Sequence, residues 1–133
     1  MPLVVHLLSA VSMLVASGAK ASPAPPELVS PINKAIFVSD DPANDTLYFF
    51  WKGLASKHRF QLAHDASFEH PIMDTRYSAS TTVLKGLPIG RYFWRVASSR
   101  DGKDYGPFSP PFQFRLTQVD DESSPEARRR PPE

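Results

Sequence analysis

Arg91-Tyr92-Phe93-Trp94-Arg95-Val96-Ala97-Ser98 is the stretch on which the reading of this chain turns. Tyr92, Trp94 and Val96 alternate with Phe93 and Arg95, so an extended backbone places the first three on one face and the other two on the opposite face. Bulky apolar side chains at period two mark a central strand with an enclosed inner face. The same period recurs along the chain. Thr46 to Lys52 carries Leu47, Phe49 and Trp51 on one face and Tyr48 and Phe50 on the other. Lys57 to His64 brings Phe60 and Leu62 together, and Phe112, Phe114 and Leu116 alternate in the last strand. Ala35-Ile36-Phe37-Val38 is a short strand, and Ile72 to Tyr77 and Thr81 to Leu84 read as short edge strands. Turn-forming clusters such as Gly53-Leu54-Ala55-Ser56 and Ser78-Ala79-Ser80 separate them. No window keeps a 3.6-residue apolar period over three turns. Seven short strands, with no helix to cross over a parallel sheet, predict an all-β antiparallel sandwich.

Composition agrees. The 133 residues suffice for one domain and are too few for two. Apolar residues make up 41% and charged ones 22%, a globular balance, and the 14 prolines disfavour long helices. Trp51, Phe60, Leu62, Tyr92, Trp94, Val96, Phe112 and Phe114 are the predicted core. Each aromatic among them buries on the order of 150–250 Å² when packed. At ~25 cal/mol per Å², that holds a disulfide-free domain of this size together. The absence of cysteine excludes disulfide scaffolds, thiolate metal sites and a thiol nucleophile. A net charge of +1 gives no field that argues for nucleic acid.

The ends differ from the middle. Residues 1–21 hold the apolar run Leu3 to Ala19, then Ala19-Lys20-Ala21-Ser22, which reads as a secretory signal cleaved after Ala21. The alternatives are a hydrophobic remnant of a longer parent chain, since Met1-Pro2-Leu3 carries no lysine or arginine, and an uncleaved anchor. The run is too short and too broken by serines for a stable membrane span. Residues 22–26 form a stiff proline-rich linker, 27–118 the sandwich, and 119–133 a charged disordered tail with Asp120-Asp121-Glu122 and Arg128-Arg129-Arg130.

Four stretches carry a family resemblance: Glu27-Leu28-Val29-Ser30-Pro31, Phe60 to Phe68, Gly90 to Val96, and Gly106-Pro107-Phe108-Ser109. Together they resemble the fibronectin type III-like domain near the C-terminus of bacterial FecR-type envelope proteins, some of which carry a peptidoglycan-binding LysM domain. The resemblance implies an immunoglobulin-like sandwich located in the periplasm or secreted. Neither a LysM unit nor a FecR strand repeat precedes the sandwich here, so peptidoglycan binding and signalling are not carried over. Tyr92 follows the turn Leu87-Pro88-Ile89-Gly90, which places its hydroxyl to bond back to that corner.

Catalytic chemistry is sparse. No G-x-S-x-G elbow, phosphate loop or nucleophile–base pair is present, so the chain is expected to be non-enzymatic and to use no cofactor. His58 and His64 share a strand face about 20 Å apart, too far for one metal ion; with His70 they read as surface or rim residues. The acidic loop Asp40, Asp41, Asn44 and Asp45 lacks the spacing of a calcium hand, and no metal is expected. Strand parity gives one binding candidate. With Tyr92, Trp94 and Val96 inward, Phe93 and Arg95 face out, as do Arg59 and Gln61, and Gln113 and Arg115, on neighbouring strands. Guanidinium forks beside an aromatic face suit carboxylates, sugars or a protein surface; the plainer reading is a solubilising face paired with nearby acids. The expectation is an extracytoplasmic spacer or binding module whose partner is another envelope protein or a cell-wall glycan. The alternatives are a detached piece of a FecR-type or LysM parent and an accessory domain of a carbohydrate-active enzyme.

Overall fold

The computed structural model of the chain describes residues 22–119. The signal or remnant at 1–21 and the tail at 120–133 lie outside the described residues. Eight strands follow in order: β1 (Glu27–Ser30), β2 (Ala35–Ser39), β3 (Thr46–Lys52), β4 (Lys57–Ala63), β5 (Met73–Tyr77), β6 (Thr81–Lys85), β7 (Gly90–Ser99) and β8 (Phe112–Gln118). They form a three-stranded sheet ordered β1-β3-β6 and a five-stranded sheet ordered β2-β8-β7-β4-β5. The seven strands predicted from alternation are all present. The eighth, β1, is a stretch too short to show a period of its own. Pro31 is buried and has no N–H to extend the ladder, so β1 ends there and the chain passes to the other sheet before β2 begins. One pairing departs from the antiparallel expectation: β2 runs parallel to β8. A strand that changes sheets meets its neighbour without a hairpin, so adjacency in sequence does not dictate its direction.

The core is the set that alternation selects. Leu28, Phe49, Trp51, Phe60, Leu62, Tyr92, Trp94, Val96 and Phe114 interlock between the sheets. Phe49 sits at the centre, edge-on to Phe60 at 5.1 Å and to Trp94 at 5.2 Å, while Tyr92 stacks on Phe114 at 5.2 Å. Phe112, predicted as core, is half-buried at the margin, edge-on to Trp94 at 6.1 Å. The Tyr92 hydroxyl donates to the Pro88 carbonyl, the tyrosine corner that the sequence anticipates; burial raises its pKa above the usual tyrosine value.

His58 corrects its rim assignment. It is 2% exposed, packs edge-on against Trp51 at 5.6 Å and approaches the Ser98 hydroxyl at 3.4 Å. It shares the parity of Phe60 and Leu62, and the sheet encloses it with them. Burial lowers its pKa below the ordinary imidazole value, with the Ala55 backbone acting the other way. His64 and His70 are exposed, as expected.

Candidate functional site: the outer face of the five-stranded sheet

The register places the six predicted site residues on one face. Gln61 pairs with Arg95, Phe93 with Gln113, and Arg59 with Ala97, so Arg59, Gln61, Phe93, Arg95, Gln113 and Arg115 all point away from the core. They do not form one continuous field. The face divides into two halves with different chemistry.

The half over β5, β4 and the far end of β7 is closed. Asp74 on β5 accepts from Arg59 Nε at 2.8 Å and Arg59 Nη2 at 2.6 Å. It also accepts from the Gln61 amide at 3.0 Å, while the Gln61 carbonyl accepts from Arg95 Nε at 2.9 Å. The Arg95 guanidinium lies between two aromatic rings, 4.1 Å from the Phe68 centroid and 4.0 Å from that of Phe108. Both rings come from loops. Phe68 follows β4 in a left-handed backbone conformation, φ 56°. Phe108 is brought in by the return from β7 to β8, where Gly106 N–H donates to Ser98 O and Ser109 N–H to Val96 O. The consequence is a correction: Gln61, expected in solvent, is only 5% exposed, and Arg95 and Arg59 are partly buried. A buried amide needs partners on both its donor and acceptor sides, and Asp74 and Arg95 supply them. The Arg59 hydrogen bonds hold the Asp74 carboxyl below its usual pKa. Desolvation, with the Arg59 charge beside it, pushes the Arg95 guanidinium down.

The half over the near end of β7, β8 and β2 is open. Arg91 stands directly opposite Arg115, and Arg115 opposite Ile36, so one row of outward side chains crosses three strands. Both arginines are exposed, and among the described residues no carboxylate pairs with either. A groove of about 250 Å³ runs over this half, lined by Lys34, Ile36, Arg91, Gln113 and Arg115. Asp65 borders Arg91 on its other side, but its carboxylate accepts from the Ser67 N–H and hydroxyl. Like charges directly opposite across a strand pair are destabilising, so this half carries a local cost that no ion pair among the described residues offsets. Arg91, absent from the sequence-derived set, has the same parity as Phe93 and Arg95; that parity was the signal.

The acidic loop does not gather around a centre. Asp41 accepts from the Asn44 amide at 2.8 Å across a short 3-10 turn, Pro42–Asn44. Among the described residues, no three His, Asp or Glu side chains stand close enough to hold a metal ion.

No protein-family model matches the sequence, and no curated protein matches it. Solved structures do. The chain is similar to the fibronectin type III domain of human fibronectin type III domain containing protein 3, with 14% identity, a TM-score of 0.50, and coverage of 80% of this chain and 95% of that one. It is equally similar to the fourth fibronectin type III domain of a human protein, with 16% identity, a TM-score of 0.50, and coverage of 79% and 82%. At such identities the likeness concerns architecture alone. Two sheets in this strand order, a tyrosine corner and these neighbours give one result: the chain folds as a fibronectin type III-like, immunoglobulin-type β-sandwich.

Proposed function

We propose that this chain is a non-enzymatic, extracytoplasmic β-sandwich module that spaces its neighbours and contacts a protein or glycan through the open half of the five-stranded sheet. The fold supports the general role, since sandwiches of this type commonly serve as spacers or binding modules. The apolar run at Leu3 to Ala19, followed by Ala19-Lys20-Ala21, supports export. One observation carries the choice of face: Arg91 and Arg115 stand opposed and exposed, with no acid paired to them among the described residues, beside Gln113 and the half-buried ring of Phe93. Planar forks in that state favour a ligand that brings carboxylates or other oxyanions.

The test uses the full chain and a double variant, Arg91→Ser with Arg115→Ser, against purified peptidoglycan, soluble acidic glycans and an array of synthetic peptides. Both substitutions lie at exposed positions and are expected to leave the tryptophan near-ultraviolet dichroism unchanged. Binding that falls at least about tenfold in the double variant supports the face. Equal binding by the two proteins, with the fold intact, defeats it. N-terminal sequencing of exported material addresses location: a start at Ser22 supports export with cleavage, and an intracellular chain still beginning at Met1 contradicts it.

A further inference from the structure

Among the described residues, four strands have an edge without a partner: β1 and β6 in one sheet, β2 and β5 in the other. Edge strands invite pairing with another chain, and a charged side chain or proline within the strand usually discourages it. β1 carries Glu27 and stops at Pro31, β5 carries Asp74 and Arg76, and β6 ends in Lys85. β2, Ala35-Ile36-Phe37-Val38-Ser39, contains no charge and no proline. Ile36 and Val38 on its outer face are each 65% exposed. The charges lie just outside it, Lys34 before and Asp40 after, and neither has an ion-pair partner among the described residues.

We infer that β2 is the seam of a two-fold symmetric dimer, in which a second copy of this chain pairs its own β2 antiparallel to the first. The pattern Lys34-x-Ile36-x-Val38-x-Asp40 reads as its own complement about Phe37. In an antiparallel pair centred there, Lys34 meets Asp40 of the other copy, Ile36 meets Val38, and each contact occurs twice, as an isologous interface requires. Ile36 and Val38 share one strand parity and face outward. Lys34 precedes the strand in a turn, where its left-handed φ of 69° breaks the alternation, but it lines the same groove as Ile36, and Asp40 follows directly on Ser39.

The backbone agrees with this register. The Ser39 carbonyl accepts from Val119 N–H on the side of β8. Successive residues direct their N–H and C=O to alternate sides of a strand, so Ile36 and Val38 direct theirs to the free edge. Centring on Phe37 sets Ile36 opposite Val38, and each such pair exchanges two hydrogen bonds. Registers centred on Ile36 or Val38 also satisfy the backbone, but they separate Lys34 from Asp40. Charge selects among them. Growth into fibres is not expected, because the sheet's other edge, β5, is guarded by Asp74 and Arg76. The paired sheet brings the Arg91–Arg115 rows of both copies onto one surface.

An edge seam of this length buries less than a standard interface of roughly 1,600 Å², so the dimer is expected to be weak and concentration-dependent. Sedimentation equilibrium of the full chain at low salt, up to about 1 mM, reads it directly. Lys34→Asp sets acid against acid at both ends of the seam and is expected to weaken association at least about tenfold. Asp40→Lys sets base against base, with the same expected result. The two together restore the match with its sign inverted, and dimerisation should return to within about twofold of the original, which no general folding defect would do. Lys34 has φ 69°, a left-handed conformation that aspartate accepts more readily than most residues, so the first variant is expected to fold. A chain that stays monomeric at the top concentration overturns the proposal, as does association that ignores the single reversals or is not rescued by the double one. Slow amide exchange at Ile36 and Val38 in a strictly monomeric sample also overturns it, because another segment of the chain then covers the edge.

Discussion

The two halves of one sheet face use the same residue type to opposite ends. Arg59 and Arg95 are enclosed in a network in which every charged or amide group has a partner: Asp74 below, Gln61 between, and the rings of Phe68 and Phe108 above. Arg91, on the same strand as Arg95, and Arg115, on the next, stand opposite each other with no carboxylate paired to either among the described residues. An arginine on an exposed strand is therefore uninformative until its surroundings are known. With an acid and an aromatic cover it is part of the fold; opposed to its like, it is a cost to stability and a candidate for recognition.

The sharpest way to break this contrast is to remove the centre of the closed half. Arg95→Ala deletes two cation–π contacts and leaves the Gln61 carbonyl without its donor. At roughly 1 kcal/mol for each contact, the expected loss is about 3 kcal/mol of unfolding free energy in urea. A loss under about 1 kcal/mol would show that the aromatic cover is incidental and that the two halves do not differ in kind.

Asp74→Asn is a smaller perturbation of the same network. The amide keeps the shape but cannot accept both Arg59 bonds as a charge, and about 1–2 kcal/mol should be lost at neutral pH. The pH profile adds a second readout. The folded protein holds the Asp74 carboxyl below its unfolded pKa, so the unfolded chain binds the proton first as acid is added. The stability from this group is complete above the unfolded carboxylate value of about 3.9 and is lost as pH falls through the folded one. The variant should show a shallower loss between about pH 4 and the acid limit. Parallel acid profiles for the two proteins would remove Asp74 from the account.

These differences explain which parts of the molecule the sequence disclosed. Period-two alternation identifies the inward side of a strand, and Phe49, Trp51, Phe60, Leu62, Tyr92, Trp94, Val96 and Phe114 are all buried where it puts them. His58 lies on the same side by the same rule; its polarity, rather than its position, led to the rim reading. Parity also puts Arg59, Gln61, Phe93, Arg95, Gln113 and Arg115 on one outward face. It is blind to what later arrives over that face. Phe68 and Phe108 come from loops, and Phe108 reaches Arg95 only because the return to β8 hydrogen-bonds along β7. Gln61 therefore passes from a predicted surface residue to a buried one without any change in its own strand. The parallel pairing of β2 with β8 was hidden for a related reason: it depends on a change of sheet, which leaves no periodic trace. Local pattern fixes orientation within a strand, and tertiary contacts decide exposure.

The smallest expected effect tests the open half. Arg115→Glu replaces a repulsive cross-strand pair with an attractive one at the same two positions, opposite Arg91. Residue 115 is exposed, so solvent screens the interaction, and the gain is about 0.5 kcal/mol at low ionic strength. Salt distinguishes this from a propensity effect: the repulsion in the parent protein and the attraction in the variant both fade as ions are added, so the two stabilities should converge toward 1 M salt, where the screening length is about 3 Å. The sign carries the argument, because a substitution at an unencumbered surface position is expected to be neutral or mildly destabilising. If Arg115→Glu stabilises the fold while abolishing ligand binding, the arginine is retained against the interest of stability. If it destabilises the protein at every salt concentration, Arg115 has a partner within the sandwich, and the open half is closed after all.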